Sequence, residues 1–260
     1  MPRSHWRSYP GYTRILWLGM VVWALLSTAA LSSQEIPAGT ILPIRLDKTL
    51  DAKKNKPRQA VRARIMQDVT LDQRFRIRAG AQVVGHVVEA ESTSSGSRLV
   101  LIFDRVVTHG RALPVTTNLR AIASMQEVYE AQFPTNAWDD YGTSTSDWNT
   151  VQVGGEVVYR GSGEVISGSE VVGLSSDSGE VRARVRSSAG GCRGAVAGND
   201  SVQSLWIFSS SACGVYGFSA LSIAHAGRTT PVGQIVLAST GNVHVNSGSG
   251  LLLRVAASER

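Results

Sequence analysis

The stretch IRAGAQVVGHVVEA, residues 77–90, alternates apolar and polar side chains through its second half and carries glycine at 80 and 85, where a strand ordinarily packs a side chain. Alternation with a period of two is the mark of a β-strand half buried on one face. Gly80 permits a tight positive-φ turn into the strand, and Gly85 suits a point where a barrel strand bends or another backbone comes close.

The same alternation runs outward on both sides, in TILPIRL (40–46), QAVRARIMQDV (59–69), SRLVLIFDRVV (97–107) and RALPVTT (111–117). Turn material separates these runs, including DAKKNKP, STSSG and the His109-Gly110 pair. Short strands at this spacing predict a mainly β fold, a barrel or sandwich, rather than a βαβ fold.

Farther along, AIASMQEVYEAQF changes period, with Ile122, Met125, Tyr129 and Phe133 near one helical face and Pro134 after them, which predicts one short helix over 121–135. Residues 136–230 are rich in glycine and serine, with alternation resuming in GEVRARVRSS, and read as a β-rich insertion. Leu205, Trp206, Ile207 and Phe208 form an apolar run suited to a strand buried between sheets, and closing strands are expected over 231–257.

The compartment is read from the start of the chain. Arg3, Arg7 and Arg14 precede an uncharged apolar run over 15–31, so residues 1–33 read as an export signal or membrane anchor, with the periplasm or cell envelope as destination. The run is near the lower edge of what spans a bilayer, so membrane contact through it is the alternative to cleavage.

Only two cysteines are present, and in an exported chain Cys192 and Cys213 are most simply a disulfide. Closing that loop stabilises by roughly 3 kcal/mol. The formal charge is +6, but without the three leader arginines 23 basic residues face 20 acids. A nucleic-acid binder concentrates charge on one face, and the only basic cluster, 51–64, reads as a turn between two strands, so no nucleic-acid partner is expected.

The first β-region resembles the carboxy-terminal β-barrel of TrbI-type proteins, the scaffold component of conjugative type IV secretion channels. The likeness rests on AGTILPIRL (38–46), VRARIMQDV after the turn proline Pro57, IRAGAQVVGHV with Ile77, Gly80 and Gly85, and RLVLIFDRVV beginning at Arg98. The His109-Gly110 turn and GSGLLLRV (248–255) complete it. It covers 36–120 as the first part of a barrel and about 240–256 as its closing strand, and it implies a structural role in the envelope with other envelope proteins, or further copies of the chain, as partners.

Catalytic patterns are fragmentary. Asp177, Ser178 and Gly179 faintly match the serine motif of chymotrypsin-like proteases, but the flanking glycines are missing and His225 follows the serine, against that fold's chain order. Ser219 in GFSAL lacks the final glycine of a nucleophile elbow. His86, His109, His225 and His244 are scattered singly, Asp139 and Asp140 are adjacent and so point apart in a strand, and Glu164 and Glu170 have no readable geometry.

The expectation is therefore a non-catalytic envelope assembly protein with no cofactor and no metal. The alternatives are a secreted hydrolase using Ser178 or Ser219 with His225, and a glycan- or peptidoglycan-binding module using the loop aromatics Trp138, Tyr141 and Trp148.

Overall fold

In strands β3 (Ala60–Ile65) and β6 (Gln82–Thr93), the alternating residues point their apolar members to one side, and that side is buried, whereas β1 (Ile41–Leu46) buries nearly every residue. The computed structural model describes residues 35–73, 75–133, 148–160, 163–175, 180–186, 199–224 and 232–257. The remaining strands of the first half are β2 (Leu50–Asp51), β4 (Val69–Thr70), β5 (Arg76–Ile77), β7 (Gly96–Thr108), β8 (Arg111–Pro114) and β9 (Thr117–Ala123). The second half supplies β10 (Trp148–Val151), β11 (Val157–Arg160), β12 (Glu164–Ser167), β13 (Glu170–Ser175), β14 (Val181–Val185) and β15 (Asn199–Ser204). It ends with β16 (Gly214–Tyr216), β17 (Leu221–Ala224), β18 (Ile235–Ser239), β19 (His244–Val245) and β20 (Gly250–Val255).

Ten strands form one sheet in the order β16-β9-β20-β1-β3-β6-β7-β18-β17, with β8 paired to β7. Every pair is antiparallel except β16 with β9. The two ends of the path, β16 and β17, are successive strands that approach one another, so the sheet is a nearly closed barrel. Val61, Ala63, Ile65, Val83, Val87, Leu99, Leu101 and Phe103 fill its interior.

The glycines of the opening stretch have distinct places. Gly80 lies at φ +87° in the turn that leads from β5 to β6. Gly85 is at a register shift between β6 and β7, and a Cβ there would lie 1.8 Å from the Ile102 carbonyl oxygen. His109 and Gly110, at φ 48° and 72°, form the two-residue turn between β7 and β8. That sign at both positions is the turn whose twist suits a hairpin.

The inserted region contains a second sheet, a six-stranded antiparallel meander from β10 to β15. Its inner face packs Val158, Val165, Val172, Val181, Ala183 and Val185 onto the outside of the barrel wall, against Ile41, Ala121, Ala123 and Leu252. Strands β1, β9 and β20 are therefore buried on both faces. In β20, Leu251 and Leu253 serve the barrel interior while Leu252 serves the second core.

Three expectations are corrected. The helix is only Met125–Glu130 (α1), because Ala121, Ile122 and Ala123 belong to β9; Ser124 caps it by accepting a hydrogen bond from the Glu127 backbone N–H at 3.2 Å. Its expected apolar face is exposed at Met125, Tyr129 and Phe133, and Val128 is the residue it buries. The insertion is also narrower than 136–230: its sheet ends at Ser204, and β16 and β17 belong to the barrel.

The third correction concerns Leu205 to Phe208, which are buried between the two sheets but as a turn, not a strand. Trp206 sits at φ +52°, and Phe208 forms a parallel bridge with Val153. Among the described residues no helix is long and apolar enough to cross a membrane, which says nothing of a β-barrel. Residues 1–33 lie outside the described residues.

Candidate binding surfaces

Two sheets that meet through an apolar core still bring backbone groups of the connecting loops out of water, and each such group needs a partner. Buried side chains supply them. Gln67 donates to the Val181 carbonyl at 3.0 Å and accepts from the Trp206 N–H at 2.5 Å. Gln203 accepts from the Ile41 N–H at 2.8 Å and donates to the Gly39 carbonyl at 3.1 Å.

Arg120 makes the strongest of these links. The β9 and β20 register passes from Leu253 opposite Leu119 to Leu252 opposite Ala121, so Arg120 is the extra residue of a bulge. Its side chain, 3 % exposed, donates to the carbonyls of Ala212 at 2.8 Å, Arg186 at 2.6 Å and Ser210 at 3.0 Å. Burial, with the nearby positive charge of Arg254, lowers its pKa to about 10.

Glu156 completes the junction, accepting from the Ser210 N–H at 2.7 Å and from the Ser210 hydroxyl. Burial raises its pKa above the ordinary carboxyl value, against the pull of the Ser210 hydrogen bonds and Arg186. Such a network rigidifies a junction when its members are satisfied.

The rigidly held second sheet turns its other face to solvent. Across four strands, Val151 pairs with Val157, Val157 with Ile166, and Ile166 with Val171, giving one continuous aliphatic row. Val151 is 43 % and Val171 49 % exposed, and Leu174 beyond them reaches 62 %.

A groove of about 370 Å³ opens between the last strand of this sheet and the barrel, lined by residues 37–40 in part, 69–71, 182 and 201–204. Arg182 is its one charged lining residue. One end is closed by the Ser204 hydroxyl, which donates to the Asp68 carbonyl at 2.5 Å.

The polar groups with catalytic potential are placed as follows. Asp51 and His244 face each other across the β2-β19 pair, with Asp51 Oδ2 3.3 Å from His244 Nδ1. His244 Nε2 lies 3.0 Å from Asn246 Oδ1, so the ring is held on both nitrogens by neighbours other than a nucleophile. Asp51 also accepts from Asn242 at 3.0 Å and from the Lys53 N–H at 2.9 Å, and the Asn242 bond leads the effects that lower its pKa.

His86 approaches Asp104 at 3.4 Å on the barrel wall, and His109 is in its hairpin turn beside the Thr108 hydroxyl. Glu164 is exposed opposite Leu174, and Glu170 pairs with Arg186. Ser219 is exposed in the link between β16 and β17. Among the described residues no group of three or more His, Cys, Asp or Glu could hold a metal.

Ser178, Asp177, His225, Trp138, Tyr141, Asp139 and Asp140 lie outside the described residues, and Trp148 is the first residue of β10. Cys213 is disulfide-bonded, and the chain's other cysteine, Cys192, also lies outside them. Neither the aliphatic row nor the groove was singled out from sequence. The row needs the strand register, and the groove draws on segments separated by more than a hundred residues. No family model, curated protein or solved structure matches the chain.

Proposed function

We propose that the chain is a non-catalytic assembly component of the cell envelope, exported by its amino-terminal segment and built on a barrel of the TrbI type. The second sheet is its partner-binding element. The observation that carries this reading is the aliphatic row Val151, Val157, Ile166 and Val171, exposed at its two ends and half-buried between them, on a sheet fixed to the barrel by buried polar links. Contiguous apolar surface on a rigid support is the usual mark of a protein contact.

The partners are other envelope proteins or further copies of the chain. The test is to extract the native protein gently from envelopes and size it by light scattering, with intact-mass analysis of its amino terminus. Wild type is expected in a large assembly, and Val151→Asp with Val171→Asp is expected to release a smaller species with its melting temperature nearly unchanged. A wild-type protein recovered as a soluble monomer sinks the proposal.

A further inference from the structure

The groove beside β15 is bounded by that strand on one side and by Val69 to Leu71 on the other. Gln203 on β15 and Leu205 just past its end turn their backbone groups toward β14: Gln203 pairs with Ala183, and the Leu205 N–H donates to the Val181 carbonyl. By strand alternation the N–H and C=O of Val202 and Ser204 point the other way, into the groove. On the facing side Val69 pairs with Ile77, and the Leu71 N–H donates to the Phe75 carbonyl, so the polar groups of Thr70 turn away from β5.

The Ser204 to Asp68 hydrogen bond joins these two edges, and the groove is lined by residues of both. Val202 is 46 % exposed along the opening, and Arg182 lines the groove with no acidic partner among the described residues.

We infer that this groove accepts an extended peptide segment of a partner protein, added as a strand along β15 at Val202, beyond the end that Ser204 and Asp68 close, with a carboxylate of that segment on Arg182. The backbone edge supplies affinity, as in other strand-addition complexes, and the single cation supplies the preference for an acidic side chain. The inference shares with the proposed function only the premise of a protein partner. It uses a different surface from the aliphatic row, so the two fail separately.

The test uses the full chain purified from envelopes and two fluorescent, amino-terminally acetylated hexapeptides, Thr-Val-Glu-Val-Thr-Val and its Gln counterpart, followed by anisotropy. The Glu peptide is expected to bind, and Arg182→Gln to weaken it by about fivefold, the scale of an exposed ion pair. The Gln peptide is expected to bind both proteins at that weaker level. Val202→Pro removes an N–H that β14 does not use, at a position where an edge strand tolerates proline, and is expected to abolish binding of both peptides.

Circular dichroism checks that the proline variant keeps its fold, and Val202→Ala, which keeps the N–H, is expected to bind. Failure of the Glu peptide to bind, or binding indifferent to Val202→Pro, overturns the inference. The second result, with free acetate competing for Arg182, would make the groove a small-anion site instead.

Discussion

A methyl group at residue 85 would sit 1.8 Å from the Ile102 carbonyl oxygen, whereas one at residue 80 would meet nothing within 4 Å. The glycine in the turn and the glycine in strand β6 are therefore required for different reasons. Gly80→Ala is expected to cost about 1–2 kcal/mol, the penalty for placing an L residue at positive φ. Gly85→Ala is expected to cost about 3 kcal/mol or more, since backbone must move, and urea unfolding of the two variants reads the order directly.

The acids at the same scale carry opposite pH signs. Burial raises Glu156, so the folded chain holds that proton more tightly than the unfolded one. Its contribution is fully present below the ordinary value of 4.5 and is lost as pH rises through the raised value. Glu156→Gln is expected to flatten the fall of melting temperature with rising pH in that window. Asp51 is lowered, so its contribution is present above 3.8 and is lost as pH falls through the lowered value. Asp51→Asn is expected to destabilise at neutral pH, with the difference from wild type vanishing in acid.

At the scale of elements, α1 depends on its cap. Ser124→Ala is expected to cost about 1 kcal/mol, measured by thermal unfolding. The strands β3 and β6 were legible in the sequence because each has one buried and one more exposed face, and period two survives only under that condition. Strand β9 has no solvated face, so Ala121, Ile122 and Ala123 gave no alternation and Ile122 was captured by an accidental helical spacing with Met125 and Tyr129. The run from Leu205 to Phe208 announced burial correctly, but not that Trp206 would turn at positive φ. Strands β16 and β17 escaped the barrel assignment because they are short and only half buried. The candidate site was less legible still, since a groove made from residues near 38, 70, 182 and 202 leaves no local motif.

For the whole molecule, the link between barrel and second sheet is the quantity to measure. Arg120→Met would leave the carbonyls of Arg186, Ser210 and Ala212 without this donor. It is expected to lower the opening free energy of the second sheet by about 3 kcal/mol. Hydrogen exchange should then quicken in β11 to β14 while β3, β6 and β7 keep their protection. Strand β20 sets a different constraint, one of timing. Ile41 pairs with Arg254, and Leu252 with Ala121, so the wall between the two cores is laid by segments that are more than two hundred residues apart at its widest pairing. A growing chain can make the β6-β7 hairpin and the meander early, but it holds both cores open until Gly250 to Val255 arrive. A chain stopped short of Gly250 is thus a half-built molecule twice over, with sticky strands on either side of an empty slot, and its fate would be aggregation or proteolysis rather than a smaller working protein.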